Sequence, residues 1–163
     1  MTYIVTGLAA DLFADLPDLD DAALAQRGIS RVTATANRGF PCRITLEDAR
    51  QGEELLLLNH VTHPVAGPYR FAYAIYVRVA AIRAGGAPAR HVAVPPPVFA
   101  GRHLALRGFA DDGTLREARL AAPGEADPAI RALFADPAIA YIHAHNAAPG
   151  CFAARVDREE PRL

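Results

Sequence analysis

His103-Leu104-Ala105-Leu106-Arg107-Gly108-Phe109-Ala110, then Asp111-Asp112-Gly113, then Thr114-Leu115-Arg116-Glu117-Ala118-Arg119-Leu120 is the stretch on which the fold turns. Two alternating runs joined by Asp-Gly predict a β-hairpin, because that dipeptide accepts the left-handed backbone of a tight turn. Working outward, Asp127-Pro128 predicts a helix to about Ala135, with Asp127 as N-cap and proline in the first helical position. Ala138 to His143 and Cys151 to Val156 read as strands with a polar tail after them.

Upstream, Pro88 to Gly101 carries Pro95-Pro96-Pro97 and reads as an extended connector, since those residues donate no ladder hydrogen bonds. Phe71 to Val79 alternates large and small side chains. Leu55 to Leu58 form a short apolar run closed by Asn59-His60, and both stretches suit strands. Leu46 to Arg50 reads as one helical turn with Thr45 as its cap, and Gly39-Phe40-Pro41 as a turn. Arg31 to Thr35 reads as a strand, Asp18 to Arg27 as a helix capped by Asp20 or Asp21 and stopped by Gly28, and Tyr3 to Thr6 as an opening strand. No regular βαβ alternation appears. The fold class is α+β: a single compact domain, residues 1–163, with a largely antiparallel sheet and two or three helices.

Composition narrows the function classes. A chain of 163 residues buries roughly 68–70% of its unfolded surface without a disulfide or structural metal. All 17 basic residues are arginines and the formal net charge is −1, so no overall positive field draws the chain to nucleic acid or an anionic membrane. Met1 to Gly7 lacks the basic start of a signal peptide, and no apolar run reaches the ~18 residues of a membrane span. A cytoplasmic location with Cys42 and Cys151 as free thiols is the expectation.

Tyr141-Ile142-His143-Ala144-His145-Asn146-Ala147-Ala148-Pro149-Gly150-Cys151 is the densest run of chemically useful groups. His143 and His145 share one face of a strand, and His60 and His63 form a second pair. Four imidazoles, or three with an open position, suit zinc. Cys151 follows Pro149-Gly150, a turn that presents the thiol, and a nearby imidazole would favour a thiolate nucleophile. Arg43 and Arg70 offer planar forks for a carboxylate or phosphate.

A whole set of short stretches resembles the bacterial domain-of-unknown-function family 1203: Gly39-Phe40-Pro41-Cys42-Arg43, Leu56-Leu57-Leu58-Asn59, Pro68-Tyr69-Arg70, Ile75-Tyr76-Val77-Arg78, His143-Ala144-His145-Asn146, Gly150-Cys151-Phe152 and Asp157-Arg158. The resemblance implies one compact domain and makes both cysteine-bearing motifs a family feature. It brings no substrate, cofactor or catalytic role. The family carries an aromatic residue at the place of His60 and a histidine at that of Thr62. It reads Ser-Gly-Pro at the place of Ala72-Tyr73-Ala74, which implies a loop or pocket wall rebuilt near Tyr73.

The leading expectation is a pocket for a small anionic molecule, its polar wall made by Arg43, Arg70, His143, His145 and Asn146. One alternative is an enzyme, either a metal-assisted hydrolase on His143 and His145 or a thiol enzyme on Cys151. Another is a non-enzymatic protein that self-associates, as a homodimer or through the Pro95-Pro96-Pro97 arm. The two cysteine turns are expected at one end of the sheet, beside His143 and His145.

Overall fold

The computed structural model describes residues 2–159. In chain order it contains β1 (Thr2–Thr6), a 3-10 turn (Ala10–Phe13), α1 (Asp21–Gln26), β2 (Ser30–Thr33), β3 (Glu54–His63), β4 (Phe71–Arg78), α2 (Val79–Ala84) and β5 (Arg90–Val92). A second 3-10 turn (Pro97–Phe99) leads to β6 (Leu104–Phe109), β7 (Leu115–Ala121), α3 (Ala126–Leu133), β8 (Tyr141–Asn146) and β9 (Phe152–Glu159). The strands form a six-stranded sheet, ordered β5-β1-β9-β8-β6-β7, and a three-stranded sheet, β2-β3-β4. Every neighbouring pair is antiparallel. The protein is a mixed α+β domain, as the hairpin stretch requires.

Local chemistry explains most element boundaries. The Asp20 carboxylate accepts from Ala23 N at 2.7 Å and caps α1, and Gly28 follows the helix at φ +70°. Between β6 and β7 the chain reverses at Gly113, φ +83°, where Asp112 Oδ1 accepts from Thr114 N at 2.9 Å. α3 lays Ile130 and Leu133 on Leu104, Leu106, Ile142 and Ala154 of the large sheet, and its two core side chains are fully buried. Each such side chain contributes roughly 1.5–3 kcal/mol. A second core joins Phe13, Leu24, Leu56, Leu58, Ile75 and Ile82 around the small sheet.

Several expectations need correction. Leu46 to Arg50 is not helical: Leu46 sits at φ +55°, Cys42 N donates to Glu47 O at 2.9 Å, and Pro41 bridges Asp48, so the segment folds back on itself. Thr45 caps nothing, and its hydroxyl is buried without a partner among the described residues. Asp127 lies inside α3, after Glu125 at the cap position. Its carboxylate accepts from Tyr3 OH at 2.8 Å and pairs with Arg131 one turn on. The strand expected at Ala138 begins at Tyr141, because the preceding carbonyls serve another partner. The Arg158 guanidinium takes Phe134 O, Asp136 O and Ile139 O at 3.0, 2.8 and 3.0 Å. The proline connector holds a strand of its own, β5, and the polar tail after Val156 continues as β9.

Candidate functional site

Two tight segments build the site. The β8–β9 connection closes with Asn146 N donating to Cys151 O at 3.0 Å and Gly150 N to Asn146 O at 2.8 Å, with Gly150 at φ +76°. The folded-back segment at 39–49 is held by Arg43 N to Tyr76 O at 3.1 Å and Leu8 N to Arg43 O at 2.7 Å, so it is tied to β4 and to the end of β1. The Arg43 side chain passes from this segment to the start of β9. Nε donates to Phe152 O at 2.8 Å, Nη1 to Pro41 O at 2.6 Å and Nη2 to Cys151 Sγ at 3.2 Å.

Arg43 is 2% exposed and has no carboxylate partner among the described residues. Burial pulls its pKa below the ordinary value, while Cys151 and then Cys42 act against that pull. Arg102, close by, is different: both its Nη atoms meet the Asp48 carboxylate, at 2.7 and 2.9 Å. Its charge is balanced within the protein. Among the described residues that of Arg43 is met by two carbonyls and a sulfur.

Arg43, Asn146, Cys151, Tyr76, Arg102 and His103 line an open cleft of about 560 Å³. Leu57 and Ala74 of the small sheet and Ala147, Ala148 and Pro149 of the turn supply apolar wall. Asn146 Nδ2 lies 3.4 Å from Cys151 Sγ, while its Oδ1 is buried with no partner among the described residues. Cys151 is half-buried and free; Cys42 is also free, fully buried, and accepts from Arg78 N at 3.3 Å. Both sulfurs flank Arg43, which places the two cysteine segments in one neighbourhood.

His60, His63, His143 and His145 do not line this cleft. His143 and His145 do share a face of β8, but that face looks into the molecule, and each is 1% exposed. They join His63, Phe109, Tyr141 and Phe152 in a buried layer, with the His63 and His143 rings edge-to-face at 4.8 Å. Tyr69 O can only accept, so His63 Nδ1 donates to it at 2.6 Å, and Nε2 accepts from Tyr141 OH at 2.7 Å. His145 Nδ1 donates to Gly150 O at 3.0 Å, steadying the turn that carries Cys151. Neither nitrogen of His143 has a hydrogen-bond partner among the described residues. Burial, followed by the neighbouring cationic groups, lowers its pKa to about 2. Burial also lowers that of His145, to about 4, against the bond to Gly150.

The four-imidazole arrangement expected for zinc is not formed. His60 leaves the group and rests edge-on against Phe13 at 5.5 Å, while Tyr69 and Tyr141 occupy both nitrogens of His63. Among the described residues no three His, Cys, Asp or Glu converge as metal ligands. Arg70 is exposed on the turn before β4, outside the cleft. Arg43 and Asn146 line the cleft, whereas His143, His145 and Arg70 do not. Tyr76, Arg102 and His103 were not singled out from sequence. Strand alternation puts Tyr76 on the face of Leu57, but no local signal marks that face as a cleft wall.

No curated protein and no solved structure matches the chain. Residues 39–158, which run from the first glycine of the folded-back segment to the arginine that caps α3 and include every polar group of the cleft, match the family described as "Protein of unknown function (DUF1203)", and the chain belongs to that family.

Proposed function

We propose that this protein binds a small anionic molecule in the cleft beside Arg43. The carrying observation is an arginine, 2% exposed, on the wall of a cavity of about 560 Å³ with no carboxylate among the described residues to balance it. Guanidinium offers five N–H donors, and the contacts to Phe152 O, Pro41 O and Cys151 Sγ take three, leaving two for a ligand. The cavity volume suits a small metabolite, and its mostly apolar wall with a few convergent polar groups is the usual form of such sites. Between the two catalytic alternatives, the position of the side chains favours the thiol. Cys151 lies in the cleft, whereas His143 and His145 are shut away from it.

Thermal melting in chloride-poor buffer, with inorganic phosphate and malonate as probes, tests the reading. Anything that binds the folded state alone stabilises it by about 2.7 kcal/mol at a hundredfold excess over its Kd. A saturable rise in Tm with either anion is expected. It should be absent in Ala74→Trp, where an exposed alanine on the cleft wall becomes a side chain that fills the space. Equal responses in both proteins would show that the anion acts elsewhere.

A further inference from the structure

Resting on the anion-binding reading, we propose that Cys151 Sγ is the nucleophile of this cleft and that its substrates are small anionic electrophiles. Three features meet around the sulfur. Arg43 Nη2 lies 3.2 Å from it and Asn146 Nδ2 3.4 Å, so two donors converge on one sulfur. Donors in that arrangement serve sulfur that carries negative charge, as it does when it attacks. Cys151 is half-buried at the wall of an open cleft, whereas Cys42 is fully buried and held by Arg78 N, so the two thiols differ in access.

The third feature is Asn146 Oδ1. Its side chain lines the cleft and is 7% exposed, and the atom has no partner among the described residues. One end of the amide addresses the sulfur and the other is left for a ligand donor. A substrate with an anionic group for the two remaining N–H of Arg43, a donor for Asn146 and an electrophilic atom between them satisfies every unmet group on this wall. In the step itself the thiol proton passes to solvent in the open cleft that Cys151 lines. Sγ forms a bond to the electrophilic atom, and the bond to the leaving group breaks with its electron pair on that group.

Iodoacetate and iodoacetamide test this directly, because they share the reacting CH2–I and differ in charge. With either, an S–C bond forms and iodide departs. Rates are followed at each cysteine by mass spectrometry, with N-acetylcysteine as the free thiol. The ratio of iodoacetate to iodoacetamide rates does not depend on how much of the thiol is ionised. At Cys151 that ratio should exceed the free-thiol ratio by about tenfold, the scale of one charge-assisted hydrogen bond, with Cys42 unlabelled. Arg43→Gln should return it to the free-thiol value. Should that variant not fold, Ala74→Trp should slow both reagents at Cys151, and inorganic phosphate should slow iodoacetate more than iodoacetamide. A ratio equal to that of the free thiol overturns the inference, as does a raised ratio that survives in folded Arg43→Gln. If phosphate still raises Tm when the ratio is that of the free thiol, the binding reading stands and the nucleophile falls. If neither effect appears, both fall.

Discussion

At the scale of single residues, His143 and His145 make the molecule sensitive to acid. Above pH 6.5 both rings are neutral folded and unfolded, and neither affects stability. Below it the unfolded chain takes up protons that the buried rings refuse, so stability falls by about 1.4 kcal/mol per pH unit for each histidine. The fall continues until the folded pKa is reached, about 4 for His145 and about 2 for His143. From pH 6.5 to pH 5 each costs about 2 kcal/mol. His143→Phe, which keeps a ring in the aromatic layer, should remove about half of the combined loss between pH 7 and pH 5 in urea unfolding. An unchanged pH difference would mean that the ring is protonated when folded. The same pair shows what sequence can and cannot give. Spacing i, i+2 correctly put both imidazoles on one face. That this face is buried as well as the opposite one depends on elements distant in sequence, which the local pattern does not contain.

At the scale of elements, two backbone positions carry predictions. Ala93 follows β5 at φ +56° and is exposed, with its N–H on Tyr3 O at 2.9 Å. A left-handed L-residue costs roughly 1–2 kcal/mol, against a Gly entropy penalty of roughly 0.4–1. Ala93→Gly should therefore stabilise the protein by a few tenths to about 1 kcal/mol, read from the urea midpoint. Gly7 is the opposite case. A Cβ there would run into the carbonyl of Ile44, backbone that cannot swing aside. Gly7→Ala should cost about 1–3 kcal/mol and, by displacing the segment that carries Arg43, weaken the Tm response to phosphate. Elements whose signals are local were readable. Asp20 and Gly28 bound α1, and Asp-Gly closes the β6–β7 hairpin. Those decided by distant partners were not: Asp127 answers to Tyr3, and the residues before β8 answer to Arg158.

For the whole molecule, the cleft is a product of two sheets. Leu57, Ala74 and Tyr76 come from one, Asn146 from the other, Cys151 from the β8–β9 turn, and Arg43 connects the second sheet to a segment anchored on the first. The antiparallel α+β class was legible because hairpins are short-range. The cleft was not, because no stretch of sequence contains its walls. The six residues of β8 are all buried and the strand is paired on both sides, whereas β2 and β5 are edge strands. Amide hydrogen exchange should be slowest in β8, near the global unfolding rate, and fastest in β2 and β5. Comparable protection in β5 would contradict this order.

The strand order also bears on how the chain is made. β1, the first strand, lies between β5 and β9, and β8 lies between β9 and β6. On the ribosome, β1 and β8 each gain a second neighbour only when β9, which follows all the other described strands, has emerged. Until then the nascent chain exposes two strand edges that end up in the interior of the sheet, the kind of surface that recruits other chains or a chaperone. A ribosome stalled before Phe152 would hold a polypeptide with most of its described elements synthesised and its central sheet still open, so productive folding waits for β9.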